Sequence, residues 1–385
     1  MRWVTLTLFL AISPLLAAAE ERDANLVKLK TDTALQVAAG VDRLALLQDA
    51  VAAGRMEALQ AQKSLLPAVG QSLSTLKGTR SPQIVTLIVA YVLSGGDPLV
   101  VGRVSKVMDV DPADRRLLDG STLFMEGDLR KASGLLSKVD PVRLPARICG
   151  RIALAQAQLA NASSRQERYA VALSAMPGTL IEESALRRST LSYAEAREEA
   201  PFWRRLERYQ RRFPNSVFAG NFWKEVTATV AAWASKEPLR NLPRLDVILA
   251  MQPVAERRQI YLHLARQAAV LGNSELTVFA AHRLQRLAVE GSTEEQLGLL
   301  YSSLYRIVSQ NGDAALGSLR SIRADRLGPA DKALLAAGLD IGHQIERPVS
   351  SAVTSDTGET ATNSPLEARG TALLSTSTKL LVELP

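Results

Sequence analysis

The chain has 385 residues, 46 Lys and Arg against 39 Asp and Glu, a formal charge of +7, and one cysteine. The lone Cys149, in ARICGRIAL, excludes an internal disulfide. With no histidine beside it in sequence, it reads as a small buried hydrophobe rather than a reactive thiol.

The N-terminus MRWVTLTLFLAISPLLAAAEE carries one charge at Arg2, an apolar run from Trp3 to Leu16 and then Ala17-Ala18-Ala19. That order is the order of a secretory leader, and the run is shorter than the roughly 20 apolar residues of a spanning helix. Residues 1–19 are therefore expected to be a signal peptide cleaved near Ala19. The rest is expected to be periplasmic, with no transmembrane segment and no cysteine at the cut to take a lipid.

Residues 20–345 are expected to form one α-helical repeat domain. They are rich in Ala, Leu, Arg and Glu, which favour helices. PQIVTLIVAYVLSGG is the best strand candidate, but its length and its stop at Gly95-Gly96 fit a buried helix. Asp111-Pro112 and Asp140-Pro141 each set an N-cap acid before a proline at the first helical position. Thr179 with Glu182 and Ser292 with Glu295 have capping-box spacing. Gly127, Gly272 and Gly312 mark helix ends. YVLSGGDPLVVGRVSKVMDVDP and LFMEGDLRKASGLLSKVDP share a glycine turn, Ser-Lys-Val and Asp-Pro at an offset of 31 to 32 residues. ARQAAVLGNSELTVFAAHRLQRLA repeats the theme around Gly272. Such a period points to an all-α, tetratricopeptide-like α-solenoid of paired antiparallel helices.

PFWRRLERYQRRFPNSVFAGNFW, residues 201–223, holds seven of the eighteen aromatics and five arginines within nine residues. At about 100° per residue, Phe202, Leu206, Tyr209 and Phe213 share an arc of about 60°. Pro214-Asn215 ends that helix, and Phe218 and Phe222 are expected on one face of the next. The aromatics, with Trp203 and Trp223, therefore read as core. Arg204, Arg205, Arg208, Arg211 and Arg212 fall on a separate arc of about 120°. A solvated face is the ordinary fate of such charges, yet Glu207 is the only acid among them, and arginine is favoured at interfaces. Nucleic acid fits the charge but not the exported compartment. A membrane-lying helix would need the apolar face that the solenoid uses. An acidic protein or an anionic envelope polymer remains as a partner for this arc.

Working parts of an enzyme are not expected. His263, His282 and His343 show no metal-ligand spacing, and no nucleophile elbow or Walker loop occurs. His263 and His282 are expected on neighbouring helices as half-buried structural residues. No catalytic, cofactor-binding or metal-binding residue is assigned, and no cofactor is expected. The last residues, 346–385, are dense in Ser and Thr and without aromatics. They read as a disordered tail, with short apolar pieces at Leu380, Leu381, Val382 and Leu384 available for docking.

Several phrases, in order, resemble the periplasmic motility protein MotC family of alpha-proteobacteria. They are LALLQDAVAAGRMEALQAQKSLL, YVLSGGDPLVV, FMEGDLRKASGLLSKVDPVRLPARICGRIALAQAQL, MPGTLIEESALRRST and RRFPNSVFAGNFW, across about residues 41–223. The pair PGTLIEESALRRS and RRFPNSVFAGNFW is the most telling, whereas the tail from Val349 finds no match. The resemblance implies a non-enzymatic, exported protein that associates with the periplasmic part of the stator protein MotB and supports motor rotation or speed control. The five-arginine arc is then the first candidate contact. A periplasmic scaffold in envelope assembly or division is the alternative. A cell-wall lytic enzyme ranks third, because no segment of non-repeat character is left to be its catalytic domain.

Overall fold

A computed structural model describes residues 13–76, 81–307 and 312–346, with residues 13–31 described as helical backbone alone. The first twelve residues of the expected leader lie outside the described residues, as does the expected 346–385 tail apart from Glu346, which is helical. Among the described residues the chain is all-helical, with no strand.

The helices follow in order as α1 (Ser13–Ala52), α2 (Glu57–Ser74), α3 (Pro82–Val92), α4 (Pro98–Lys106), α5 (Pro112–Glu126), α6 (Leu129–Leu136), α7 (Ala146–Leu159) and α8 (Ala162–Ala175). Then come α9 (Leu180–Glu195), α10 (Glu199–Arg212), α11 (Ala219–Ala234), α12 (Arg244–Leu249), α13 (Val254–Val270), α14 (Ser274–Leu287), α15 (Thr293–Leu304), α16 (Gly312–Arg320) and α17 (Pro329–Glu346). They divide into two compact units. One runs to Ser189 and takes in Asn215–Phe218; the other holds Thr190–Pro214 and the chain from Ala219 onward.

Local chemistry explains most helix ends. The expected repeat is a recurrent turn: a helix, a left-handed glycine, an Asx cap, a second helix. Gly95, Gly127 and Gly272 have φ of +94°, +86° and +69°, a region that glycine enters without steric cost. Each is followed by a cap. Asp97 accepts from the Leu99 N–H at 2.8 Å, Asp128 from that of Lys131 at 3.2 Å and Asn273 from that of Leu276 at 2.9 Å. Asp111 accepts from Ala113 and Asp114, both at 2.8 Å. The capping boxes form with their glutamates displaced by one residue: Glu182 and Glu295 accept from Gly178 and Gly291, each at 2.7 Å, rather than from the cap itself.

Two expected ends differ. Asp140-Pro141 opens only a 3-10 turn, Pro141–Arg143, although Asp140 does accept from Val142 at 3.1 Å. Pro145 follows closely and pushes Leu144 out of the helical region, to φ −82° and ψ 155°, so the turn cannot propagate. Gly312 opens α16 instead of closing a helix.

In the first unit α3 is the pivot, packing on α1, α4, α5 and α7. Its run from Leu87 to Val92 is buried throughout, as a helix apolar on all sides must be. Leu44, Leu118, Leu136, Ile148 and Ile152 complete the core around it. Inside that unit Arg151 is 5% exposed and donates to Gln48 at 3.0 Å, and Gln48 donates to the Ser94 carbonyl at 3.2 Å. Burial pulls the Arg151 guanidinium down to about 10, against the favourable charge of Asp49, so it stays cationic at neutral pH.

In the second unit α11, α13, α15 and α17 pack each on the next of the four, and α14 and α16 fill in between neighbours in sequence. Packing on both the adjacent and the next-but-one helix is the pattern of an α-solenoid.

Candidate functional site

The aromatic and arginine stretch falls on α10, the turn after it and α11. Its apolar side is core, as its periodicity predicts. Phe202, Trp203, Tyr209 and Phe222 are each 0% exposed. Their rings interlock at centroid distances of 4.8 Å for Phe202–Trp203, 4.2 Å for Tyr209–Phe222 and 6.1 Å for Phe222–Trp223. These pairings fix the rotation of α10 about its axis.

Phe218 departs from expectation. It precedes α11, does not share a face with Phe222, and belongs to the first unit. Ser216 holds this turn: its hydroxyl donates to Glu183 at 3.1 Å and accepts from the Phe218 N–H at 3.2 Å, while the Val217 N–H donates to the Val51 carbonyl at 3.2 Å. Arg187 pairs with Glu183 at 3.0 Å and lies 5.1 Å over the Phe218 ring. The two phrases that carry the family resemblance most strongly therefore meet in space, one supplying Glu183 and Arg187, the other Ser216 and Phe218.

The five arginines are not equivalent. Arg204, Arg211 and Arg212 are exposed, and Arg205 and Arg208 are half-buried. Arg211 reaches Glu207 at 3.4 Å, and Glu207 also accepts from Arg244 of α12 at 2.8 Å. That hydrogen bond from Arg244 holds the Glu207 carboxyl below its usual range. Arg212 lies 5.8 Å over the Phe213 ring. Arg204 and Arg205 have no ion pair among the described residues. The single acid noted in the sequence is thus already engaged by Arg211 and Arg244.

A groove of about 390 Å³ in the same unit, at the N-terminal parts of α11 and α13, follows no sequence pattern. Trp223 and Ile260 supply its apolar wall; Lys224, Gln252, Arg258 and His263 supply polar groups. An apolar wall with a few polar groups suits a side chain or short extended segment of a partner. His263 itself lies on α13 and His282 on α14, two packed helices, as expected. Among the described residues no group of three His, Cys, Asp or Glu is placed to hold a metal. Cys149 is buried, and burial pushes its thiol up, which keeps it protonated.

Burial lowers His263, with Lys224 and Arg266 adding repulsion, and lowers His282, with Arg306, Arg283 and Arg286 adding theirs. A histidine depressed in the folded state favours the neutral form. Its contribution to stability is present above the ordinary value of 6.5 and is lost as pH falls from there toward the folded value. Melting temperature is expected to fall between about pH 7.5 and 5.5. Replacing both histidines by glutamine should flatten that slope, and an unchanged slope in the double variant would disprove their role.

No helix among the described residues is long and apolar enough to cross a membrane. Fold and site together define an α-helical repeat protein with an outward-facing basic helix. The family model described as chemotaxis protein MotC matches residues 1–379. Chemotaxis protein MotC of Rhizobium meliloti (strain 1021) is 30% identical over 311 residues, covering 78% of this chain and 70% of that protein. No solved structure matches. The chain belongs to the MotC family.

Proposed function

We propose that the protein is an exported, non-enzymatic component of the flagellar motor. In this reading it binds the periplasmic part of the stator protein MotB and supports motor rotation or speed control. Family membership and the name of the Rhizobium meliloti relative support a role in motility and chemotaxis. The leader-like N-terminus supports a periplasmic location. The observation that carries the binding role is the α10 face: a helix locked by buried rings on one side presents Arg204 and Arg205, which have no acid partner among the described residues, on the other. Fixed, unneutralised guanidinium groups bind carboxylates bidentately at little entropic cost.

The test is binding of residues 20–385 to the periplasmic domain of MotB from the same genome, at low and moderate salt. Saturable binding that weakens with salt is expected. Changing Arg204 and Arg205 to glutamine should weaken it by about tenfold or more, the scale of one or two lost charged contacts. These two are the right first targets, since neither has an ion-pair partner among the described residues. Unchanged binding in the double variant would move the contact elsewhere, and absent binding by the wild type would overturn the MotB assignment.

A further inference from the structure

We infer that the groove formed by the last turns of α6 and α7 and the first turns of α8 binds a sugar acid, its carboxylate on Arg168 and a sugar hydroxyl donating to Gln156. The inference is independent of the MotB reading and concerns the first unit alone. Helices α6 and α8 both pack on α7, and where they meet lies a groove of about 360 Å³, within the size range of small-molecule sites. Ser133 and Ser137 line it from α6 and its C-cap, Gln156 from α7, and Asn161, Ser164 and Arg168 from α8 and its N-cap. Ser133 and Ser137 are four positions apart, as are Ser164 and Arg168, which sets each pair on one side of its helix. None of the lining residues is an acid.

Gln156 points to a ligand that donates. It is 5% exposed. Its Nε2 donates to the Leu136 carbonyl at 2.7 Å and to the Val139 carbonyl at 2.8 Å, at and just beyond the end of α6. Both partners are acceptors, so the amide cannot be turned end for end without setting oxygen against oxygen. Oε1 is thereby fixed, and it meets no donor among the described residues. A buried carbonyl oxygen of this kind costs free energy until an O–H or N–H reaches it.

Arg168 sets the charge of the ligand. It is half-buried and has no ion pair or hydrogen bond among the described residues. The Ser133 and Ser137 hydroxyls and the Asn161 Nδ2 likewise have no partner among them. Asn161 uses its Oδ1 to cap α8, accepting from the Ser164 N–H at 3.3 Å and from the Ser164 hydroxyl at 2.9 Å. The set is therefore one cation, several neutral groups able to donate, and one fixed acceptor. A carboxylate matches the guanidinium fork. A phosphate would match it too, but its oxygens bring no donor to Gln156. Only Leu159 and Ala160 are apolar in the lining, which argues against a peptide with apolar side chains. A hexuronic acid carries the carboxylate, a hydroxyl for Gln156 and further hydroxyls for the serines.

Ligand-observed NMR titration of the whole exported chain, residues 20–385, with galacturonate tests this. A Kd on the order of 1 mM is expected, the scale for a ligand of about a dozen heavy atoms. Galactose keeps the hydroxyls without the carboxylate, and inorganic phosphate has the charge alone; each should bind about tenfold more weakly or worse. Arg168→Gln should weaken galacturonate by about tenfold or more and leave the melting temperature unchanged, since the side chain has no partner among the described residues to lose. Ser137→Leu, at an exposed position on the rim, should block the groove to a similar extent. Trigalacturonate separates the two sources of this chemistry: tighter binding than the monomer for a unit of a polymer, weaker for a free acid, and both support the site. Galacturonate that fails to bind, or that binds both variants as tightly as the wild type, would overturn the proposal. Phosphate binding as tightly as galacturonate would overturn the sugar-acid assignment.

Discussion

Truncating Trp203 to alanine is expected to destabilise the second unit by about 4 kcal/mol, within the range for deleting a large buried ring. The indole is 0% exposed and stands edge-on to Phe202 at 4.8 Å. Its N–H donates to Glu199 at 3.0 Å, and Glu199 also accepts from the Asn241 N–H at 2.7 Å. The alanine variant therefore loses ring packing and one of the contacts that order Glu199 beside residue 241. Urea unfolding followed by circular dichroism should show a lower midpoint with the slope kept. Trp203→Phe should recover a large part of the loss, because it refills most of the volume. A cost below about 1 kcal/mol for the alanine variant would mean that the ring is not core.

The second large effect lies near the C-terminal end of the same unit. Asp331 is 4% exposed, accepts from Arg266 at 2.9 Å and from the Tyr301 hydroxyl at 2.9 Å. Burial raises the Tyr301 hydroxyl above its ordinary value, and the Asp331 charge adds to it, so the tyrosine remains a donor. Asp331→Ala strands a guanidinium and a buried hydroxyl together. Breaking one side of a buried pair costs roughly 3–5 kcal/mol. Arg266 is 29% exposed on its side chain, so water recovers part of that, and about 3 kcal/mol is the expected value. Removing all three polar groups, as Asp331→Ala with Arg266→Met and Tyr301→Phe, should cost less than Asp331→Ala alone, since no unpaired group is left. A triple variant that is worse than the single one would overturn this account of the cluster.

Much of the fold was written locally and could be read locally. The glycine–Asx turns depend on residues within three or four positions of each other, so Gly127 with Asp128 and Gly272 with Asn273 announce themselves. The stripe Phe202, Leu206, Tyr209, Phe213 is likewise a one-helix pattern. The failures share a cause. Asp140-Pro141 looks like a helix start until Pro145 is weighed, and Phe218 looks like a partner of Phe222 until Glu183 and Arg187 claim its turn. The division of the arginine arc depends on Arg244, which is remote in sequence from Glu207. The α11–α13 groove is made by two helices whose facing residues follow no spacing in the chain. The site's candidate residues were legible as a cluster, whereas their partners were set by tertiary neighbours.

The interrupted first unit has a consequence for the order in which the molecule can mature. Asn215–Phe218 belong to that unit although the intervening Thr190–Pro214 do not. Its hydrogen bonds from Ser216 to Glu183 and from Val217 to Val51 cannot form until the chain has been made well past Ser189. A polypeptide emerging N-terminus first would hold an unclosed first unit while some thirty further residues appear. A fragment ending at Ser189 would stay in that unclosed state, with Glu183 lacking the Ser216 hydroxyl and the Val51 carbonyl left with the Gly54 N–H alone. Proteolysis of nascent or truncated chains should strike there first, and the strap at 215–218 is what ends that vulnerability.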